Sequence, residues 1–186
     1  KYLAGIEVTL GNKENEIFEP KLIISPTGKK ILDFGQNFAG YVSFSMNATK
    51  GDRIVLRFGE MLLSDGEFTQ RNFQLVSKKK TTPLQRVEYI CKDGRNDYKT
   101  RFSIFGFQYV EVETELEIKA EDFKGIAVYS AFEQTGWFDS SNELLNQLVH
   151  ATLWSTKSNS ADLPTDCPTR EKLGWANDAQ SSMEQV

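Results

Sequence analysis

Apolar and polar side chains alternate through the first ~130 residues, the period that gives a strand one buried and one wet face. Val42, Phe44 and Met46 alternate with Ser43, Ser45 and Asn47. Ile54, Leu56 and Phe58 alternate with Arg53, Val55 and Arg57, and Val110 and Val112 with Glu111 and Glu113. Shorter stretches at residues 6–9, 21–25, 30–34, 87–91, 101–104 and 125–129 read as further strands. Turn formers separate them, including Ser25-Pro26-Thr27-Gly28, Lys50-Gly51-Asp52, Ser64-Asp65-Gly66 and Lys92-Asp93-Gly94. Many short strands with this punctuation predict a β-sandwich, although the pattern alone does not separate a sandwich from a barrel. Residues 61–86 are polar and weakly periodic, a long loop with a short strand expected around 73–76.

The period changes after Trp137-Phe138-Asp139. Ser140 followed three residues later by Glu143 fits a capping box, and Leu145, Leu148, Val149 and Leu153 then recur at helical spacing. A helix over 141–158 is predicted, with Trp137 packing at a domain junction. A second helix is expected from Trp175 onward, since Ala179, Met183 and Val186 share one face. The chain thus divides into a β domain over 1–135 and the start of a helical domain over 136–186, which looks truncated.

Composition narrows the function classes. The 186 residues carry 22 basic and 26 acidic side chains, a net charge of −4, and the densest basic run is Lys78-Lys79-Lys80. Phosphate binding needs a clustered basic face, so nucleic acid is disfavoured as a partner. No apolar run approaches the ~20 residues that cross a bilayer, so no membrane partner is expected. Two cysteines, Cys91 and Cys167, make no disulfide framework. His150 is the single histidine and falls inside the helical pattern, which argues against a Cys/His zinc site or a Ser-His-Asp triad. No cofactor or metal is expected. Compartment and oligomeric state are not legible.

The chemistry concentrates between Asp166 and Asp178. Cleaving a glycoside requires a carboxylic acid to protonate the leaving oxygen and a second carboxylate to activate water or attack the anomeric carbon. Glu171 is the candidate acid. Arg170 can hold a carboxylate by two parallel hydrogen bonds, Asp166 and Asp178 can accept from sugar hydroxyls, and Trp175 offers an apolar wall for a pyranose ring. Neighbouring negative charge is expected to raise the pKa of the acid. Pro168 bends the chain after Asp166-Cys167, so these groups converge from a loop. Read without further context, the same residues equally fit a helix cap, a surface ion pair and a core tryptophan. Cys167 reads as a small buried residue of the loop and not a nucleophile.

The run Leu163-Pro164-Thr165-Asp166-Cys167-Pro168-Thr169-Arg170-Glu171-Lys172-Leu173-Gly174-Trp175 resembles the signature of bacterial α-L-rhamnosidases, glycoside hydrolase family 78. Two upstream stretches are similar to the β domain of that family: Asp33-Phe34-Gly35-Gln36-Asn37-Phe38-Ala39-Gly40 with Gly51–Glu60, and Phe102 to Val112, where the family often has Arg in place of Gln108. The resemblance implies a mainly β fold, a jelly-roll-like β-sandwich followed by the first helices of a truncated (α/α)₆ barrel. It implies inverting hydrolysis of terminal α-L-rhamnosides on oligosaccharides, polysaccharides or smaller glycosides. Glu171 would be the acid, and Asp166, Arg170, Trp175 and Asp178 would contact the rhamnose. The base of the family lies far downstream and matches no residue here, so the 186 residues alone are expected to be inactive.

Two other function classes remain open on the sequence. One is a carbohydrate-binding module without catalysis, with Phe68, Phe73 and Tyr98 as a sugar platform if they are exposed. The other keeps the fold but acts on another deoxy-sugar or by lyase chemistry. Asp33–Gly40 reads as a polar turn between strands, with Gly35 and Gly40 giving backbone freedom.

Overall fold

One strand of unusual length organises the molecule. The computed structural model describes residues 11–74 and 84–175. Within them, β3 runs over Lys30–Ala48 and is joined by β1 (Asn12–Phe18), β2 (Lys21–Ile24), β4 (Arg53–Gly59), β5 (Arg86–Ile90), β6 (Gly94–Lys99), β7 (Phe105–Glu113) and β8 (Phe123–Ser130). All their pairings are antiparallel. The first half of β3 lies between β2 and β7, and its second half lies between β8 and β6. Two layers result, β2-β3-β7-β4-β5 and β1-β8-β3-β6, and they share β3. This is the predicted sandwich, formed by one curled sheet.

The crossover falls at Gly40, which pairs with Phe105 of β7 and Ala127 of β8 at once. A Cβ there would stand 1.9 Å from the carbonyl oxygen of Ile126. Gly40 is therefore required for close approach, not for the backbone freedom expected of it. Asp33–Gly40 is not a turn between strands. β3 continues through it, with a register shift between Asp33 and Phe38. Asp33 fixes that bulge: its Oδ1 accepts from the N–H of Gly35 at 2.8 Å and from Nε2 of Gln108 at 3.0 Å. Gly35 has φ 81°, a conformation that favours glycine.

Even-numbered apolar side chains of β3 reach one core. Leu32, Phe34, Phe38, Val42, Phe44 and Met46 join Phe58, Phe105, Phe107 and Phe123 there. Phe38 meets Phe107 with ring centroids 4.6 Å apart, and Phe58 stacks on Phe105 at 4.2 Å. Each such pair adds about 0.5–1.5 kcal/mol beyond area burial. Phe68 and Phe73 are buried and Tyr98 packs on Phe44 and Tyr89, so these three form no exposed platform. Val55, expected on the wet face, is fully buried. Its cross-strand neighbours Glu88 and Glu113 pair with Arg53 and Arg57, and the long stems of these charged residues cover it.

Some expected elements are absent or shifted. Residues 101–104 form no strand, and a 3₁₀ turn, Arg71–Phe73, stands at the start of the strand expected around 73–76. The strand expected at 6–9, Lys78–Lys80, Val76, Asp178 and all but the first residue of the second helix lie outside the described residues. Among the described residues, no helix is long and apolar enough to cross a membrane.

Helix α1 spans Glu143–Ser158. Its N-cap is Asn142, not Ser140. The Asn142 side chain accepts from the N–H groups of Leu144 and Leu145, while the Ser140 hydroxyl accepts from the N–H of Asn142. The C-terminal half docks on the sandwich. Trp154 meets Phe18 at 5.5 Å, and the Ser158 hydroxyl accepts from the N–H of Ala39 at 3.2 Å. Lys157 Nζ donates to Glu16 Oε1 at 2.7 Å, an oxygen that also accepts from the Tyr129 hydroxyl. The apolar stripe nearer the N-terminus, including Leu144 and Leu148, is exposed. Trp137, expected to be packed, is 81% exposed, because the chain leaving β8 runs beside α1 around an open hollow and not into the core.

Candidate active site

The loop that follows α1 is built by local bonds. Beyond Asn159 the chain reverses at Asp162, φ 70°, between β9 (Ser160–Ala161) and β10 (Leu163–Pro164). The N–H of Thr165 then returns to the carbonyl of Asn159 at 2.8 Å. From there the loop closes on itself. The N–H of Leu173 donates to Asp166 Oδ1 at 3.0 Å, and the N–H of Asp166 donates to the carbonyl of Leu173 at 3.1 Å. Inside that closure, the Cys167 thiol donates to Asp166 Oδ2 at 3.4 Å, and its sulfur accepts from the N–H of Glu171 at 3.2 Å. Cys167 is thus a free, half-buried residue that stitches the loop.

Two contacts seat the loop on the sandwich. Thr169 is buried, and it and Pro168 lie so close to Gly106 that a Cβ there would be 2.5 Å from Thr169 Cγ2 and 2.7 Å from Pro168 Cγ. Lys172, held at φ 54°, directs Nζ to the carbonyl of Ile104 at 2.7 Å and over the ring of Phe105. Burial of the ammonium lowers its pKa. Glu60, just past β4, accepts from Nδ2 of Asn72 at 2.6 Å. Burial pushes its carboxyl above the usual range, and that bond is among the effects that oppose the rise.

A cleft of about 400 Å³ opens where bulge, β4 end, helix and loop meet, lined by Asn37, Glu60, Trp154, Ser158, Asp166 and Cys167 among others. Burial alone would raise the pKa of Asp166. The N–H of Leu173, the Cys167 thiol and the N–H groups of Asp166 and Cys167 outweigh it, and the carboxyl sits below its ordinary value.

Of the expected site residues, Asp166, Arg170 and Glu171 come together in this one loop. Arg170 Nη2 lies 3.3 Å from Glu171 Oε1, a single contact and not a bidentate clamp. Arg170, Glu171 and Trp175 stand outside the lining of the cleft, and Trp175 is 51% exposed. Glu60, Thr169 and Lys172 were not singled out from sequence. A lone glutamate after a strand carries no local signal, and only the fold brings it to the loop.

Comparison with known proteins agrees with the fold. Residues 24–129 match the family model described as bacterial α-L-rhamnosidase concanavalin-like domain, and residues 133–186 match the bacterial α-L-rhamnosidase 6 hairpin glycosidase domain. The chain belongs to the bacterial α-L-rhamnosidase family. It is 35% identical over 174 residues to an α-L-rhamnosidase of Formosa agariphila, a match covering 90% of this chain and 18% of that protein. It is 34% identical to one from an Alteromonas species, over 81% of this chain and 16% of the relative. Among solved structures, α-L-rhamnosidase from Dictyoglumus thermophilum superposes with a TM-score of 0.85 at 33% identity, covering 94% of this chain and 20% of that one. The Streptomyces avermitilis α-L-rhamnosidase complexed with L-rhamnose gives 0.83 at 27% identity, over 92% and 16%. The chain therefore spans about a fifth of the length of these relatives.

Proposed function

We propose that the chain carries the acid side of the active site of an inverting exo-α-L-rhamnosidase, an enzyme that releases terminal α-L-rhamnose from oligosaccharides, polysaccharides or smaller glycosides. In this reading residues 1–135 are the β domain that precedes the catalytic barrel, and 136–186 begin the barrel. Glu171 donates its proton to the glycosidic oxygen as the bond to the anomeric carbon breaks. Asp166, Arg170, Trp175 and Asp178 hold the sugar. The base that activates water on the opposite face belongs to another part of the whole protein, as inverting geometry requires room for that water between the two carboxyls.

The observation that carries the proposal is the closed loop from Asp166 to Leu173. It gathers two carboxylates and a guanidinium on a short segment pinned at both ends, the order a general acid needs to meet a leaving group within hydrogen-bond reach. The test is proton NMR of the sugar first released from an aryl α-L-rhamnoside by the full-length protein. The β anomer of L-rhamnose is expected before mutarotation. Release of the α anomer first, or of no rhamnose, contradicts the proposal.

A further inference from the structure

We propose that Cys167 is a positioning residue for the acid: its sulfur receives the backbone N–H of Glu171 while its thiol donates to the Asp166 carboxylate, so one side chain sets where Glu171 stands relative to Asp166. This rests on the reading of Glu171 as the acid.

Glu171 is placed by its backbone more than by its side chain. The side chain meets Arg170 Nη2 at 3.3 Å, and Arg170 is exposed, so that ion pair holds little. The N–H of Glu171 is different. Among the described residues its hydrogen-bond partner is Sγ of Cys167, at 3.2 Å. The chain turns over residues 168–171, and the sulfur stands just before that turn and takes the N–H four residues on, much as a capping side chain does at the start of a helix. The sulfur is itself oriented. Its hydrogen points to Asp166 Oδ2 at 3.4 Å, which leaves its lone pairs for Glu171. A thiol is a weak donor, and the charge on the carboxylate strengthens the bond. Asp166 is in turn fixed by its two bonds to Leu173.

The span that the sulfur controls is short. Pro168 and Thr169 are packed against Gly106 on one side, and Lys172 is bonded to the carbonyl of Ile104 on the other. Arg170 and Glu171 lie between these two anchors, and neither anchor touches the peptide of Glu171. Cys167 does. Its bond reaches across the turn and ties that peptide to the carboxylate at the start of the loop. Without the sulfur the turn keeps its ends and loses its centre. The acid can then drift, and a displacement near 1 Å costs on the order of 10²-fold in rate. A thiol that only filled space would have no such effect on proton transfer.

The test uses Cys167→Ala and Cys167→Ser in the full-length protein, assayed on an alkyl and a dinitrophenyl α-L-rhamnoside and by hydrogen exchange of the Glu171 amide. Alanine removes both bonds, whereas a serine hydroxyl can donate to Asp166 and accept from Glu171. Cys167→Ala should lower kcat on the alkyl glycoside roughly 10–100-fold with KM within about twofold, because the loss falls on the transition state. The loss on the dinitrophenyl glycoside, which departs without a proton, should stay within about threefold. The Glu171 amide should exchange faster in Cys167→Ala, and Cys167→Ser should recover most of both the activity and the protection. Unchanged kcat, equal losses on the two substrates, an effect on KM alone, unchanged exchange, or a serine variant as damaged as the alanine one overturns the inference. If Cys167→Ala does not fold, Cys167→Val carries the same expectations: it fills the place of the thiol, has neither donor nor acceptor, and suits the extended backbone before Pro168. If the unaltered protein releases no rhamnose, the reading of Glu171 as the acid fails, and the exchange measurement still decides whether Cys167 places that residue.

Discussion

Asp166 and Leu173 hold each other twice, side chain to backbone at 3.0 Å and backbone to backbone at 3.1 Å. The two bonds close a ring of chain that includes Arg170 and Glu171, so the geometry of the acidic groups depends on the charge state of Asp166. Its folded pKa lies below the ordinary 3.8, because donors favour the charged form more than burial opposes it. A depressed carboxylate pKa contributes stability at pH above the unfolded value, and that contribution is lost as the pH falls through the folded value. Protection of the Leu173 amide, corrected for intrinsic exchange, should therefore decline below about pH 4. In Asp166→Asn it should be weaker at neutral pH and flat through that window. Unchanged protection in the variant would contradict the role assigned to this carboxylate.

Gly106→Ala should act on the site more than on the fold. The added methyl meets the side chains of Thr169 and Pro168, which belong to the loop, and it can be relieved by lifting the loop from β7. In the full-length protein, under the proposed function, the expected result is a loss of rhamnoside hydrolysis on the order of 10²-fold with a stability cost of about 1–3 kcal/mol. Gly40→Ala meets the backbone of β8 and has no such escape. It should lower the unfolding midpoint more than Gly106→Ala does. Thermal unfolding and activity measured together separate the two.

Lys157→Met should loosen α1 from the sandwich. The ammonium is largely covered, bonds Glu16 and sits over the rings of Trp154 and Tyr129. Removing it leaves a partly buried carboxylate with one fewer partner, a cost of about 1–3 kcal/mol. Adding Glu16→Gln should restore part of that loss, since no unpaired charge then remains. A double variant as unstable as the two single losses combined would show that the residues do not act as a pair.

What was legible in the sequence follows from where side chains must alternate. The apolar faces of β3, β4 and β7 were visible because Val42, Phe44, Met46, Leu56 and Phe58 enter one core. β1 was not visible: Asn12–Phe18 is an exposed, polar edge strand whose order comes from pairing with β8. β6 was hidden behind the turn signal at Lys92-Asp93-Gly94. Its buried Asn96 bonds the backbone of Lys92 and Gly94 and converts that turn into the start of a strand. The helix cap was displaced by two residues because Ser140 and Asn142 are both good caps, and local backbone geometry chooses between them. Trp137 is apolar and yet exposed, which no periodicity announces. The acidic loop was legible as a motif. Its support on the sandwich, Gly106, was not, since it is far from the loop in sequence and meets it only through β7.

The central claim is that Glu171 protonates the departing oxygen, and the most direct measurement compares two leaving groups in Glu171→Gln. With the full-length protein, an alkyl α-L-rhamnoside needs the proton, whereas a dinitrophenyl α-L-rhamnoside leaves without it. The variant should lose ~10²–10⁴-fold in kcat on the alkyl glycoside and far less on the dinitrophenyl one. Equal losses on both substrates, or near-normal hydrolysis of the alkyl glycoside, would contradict the account.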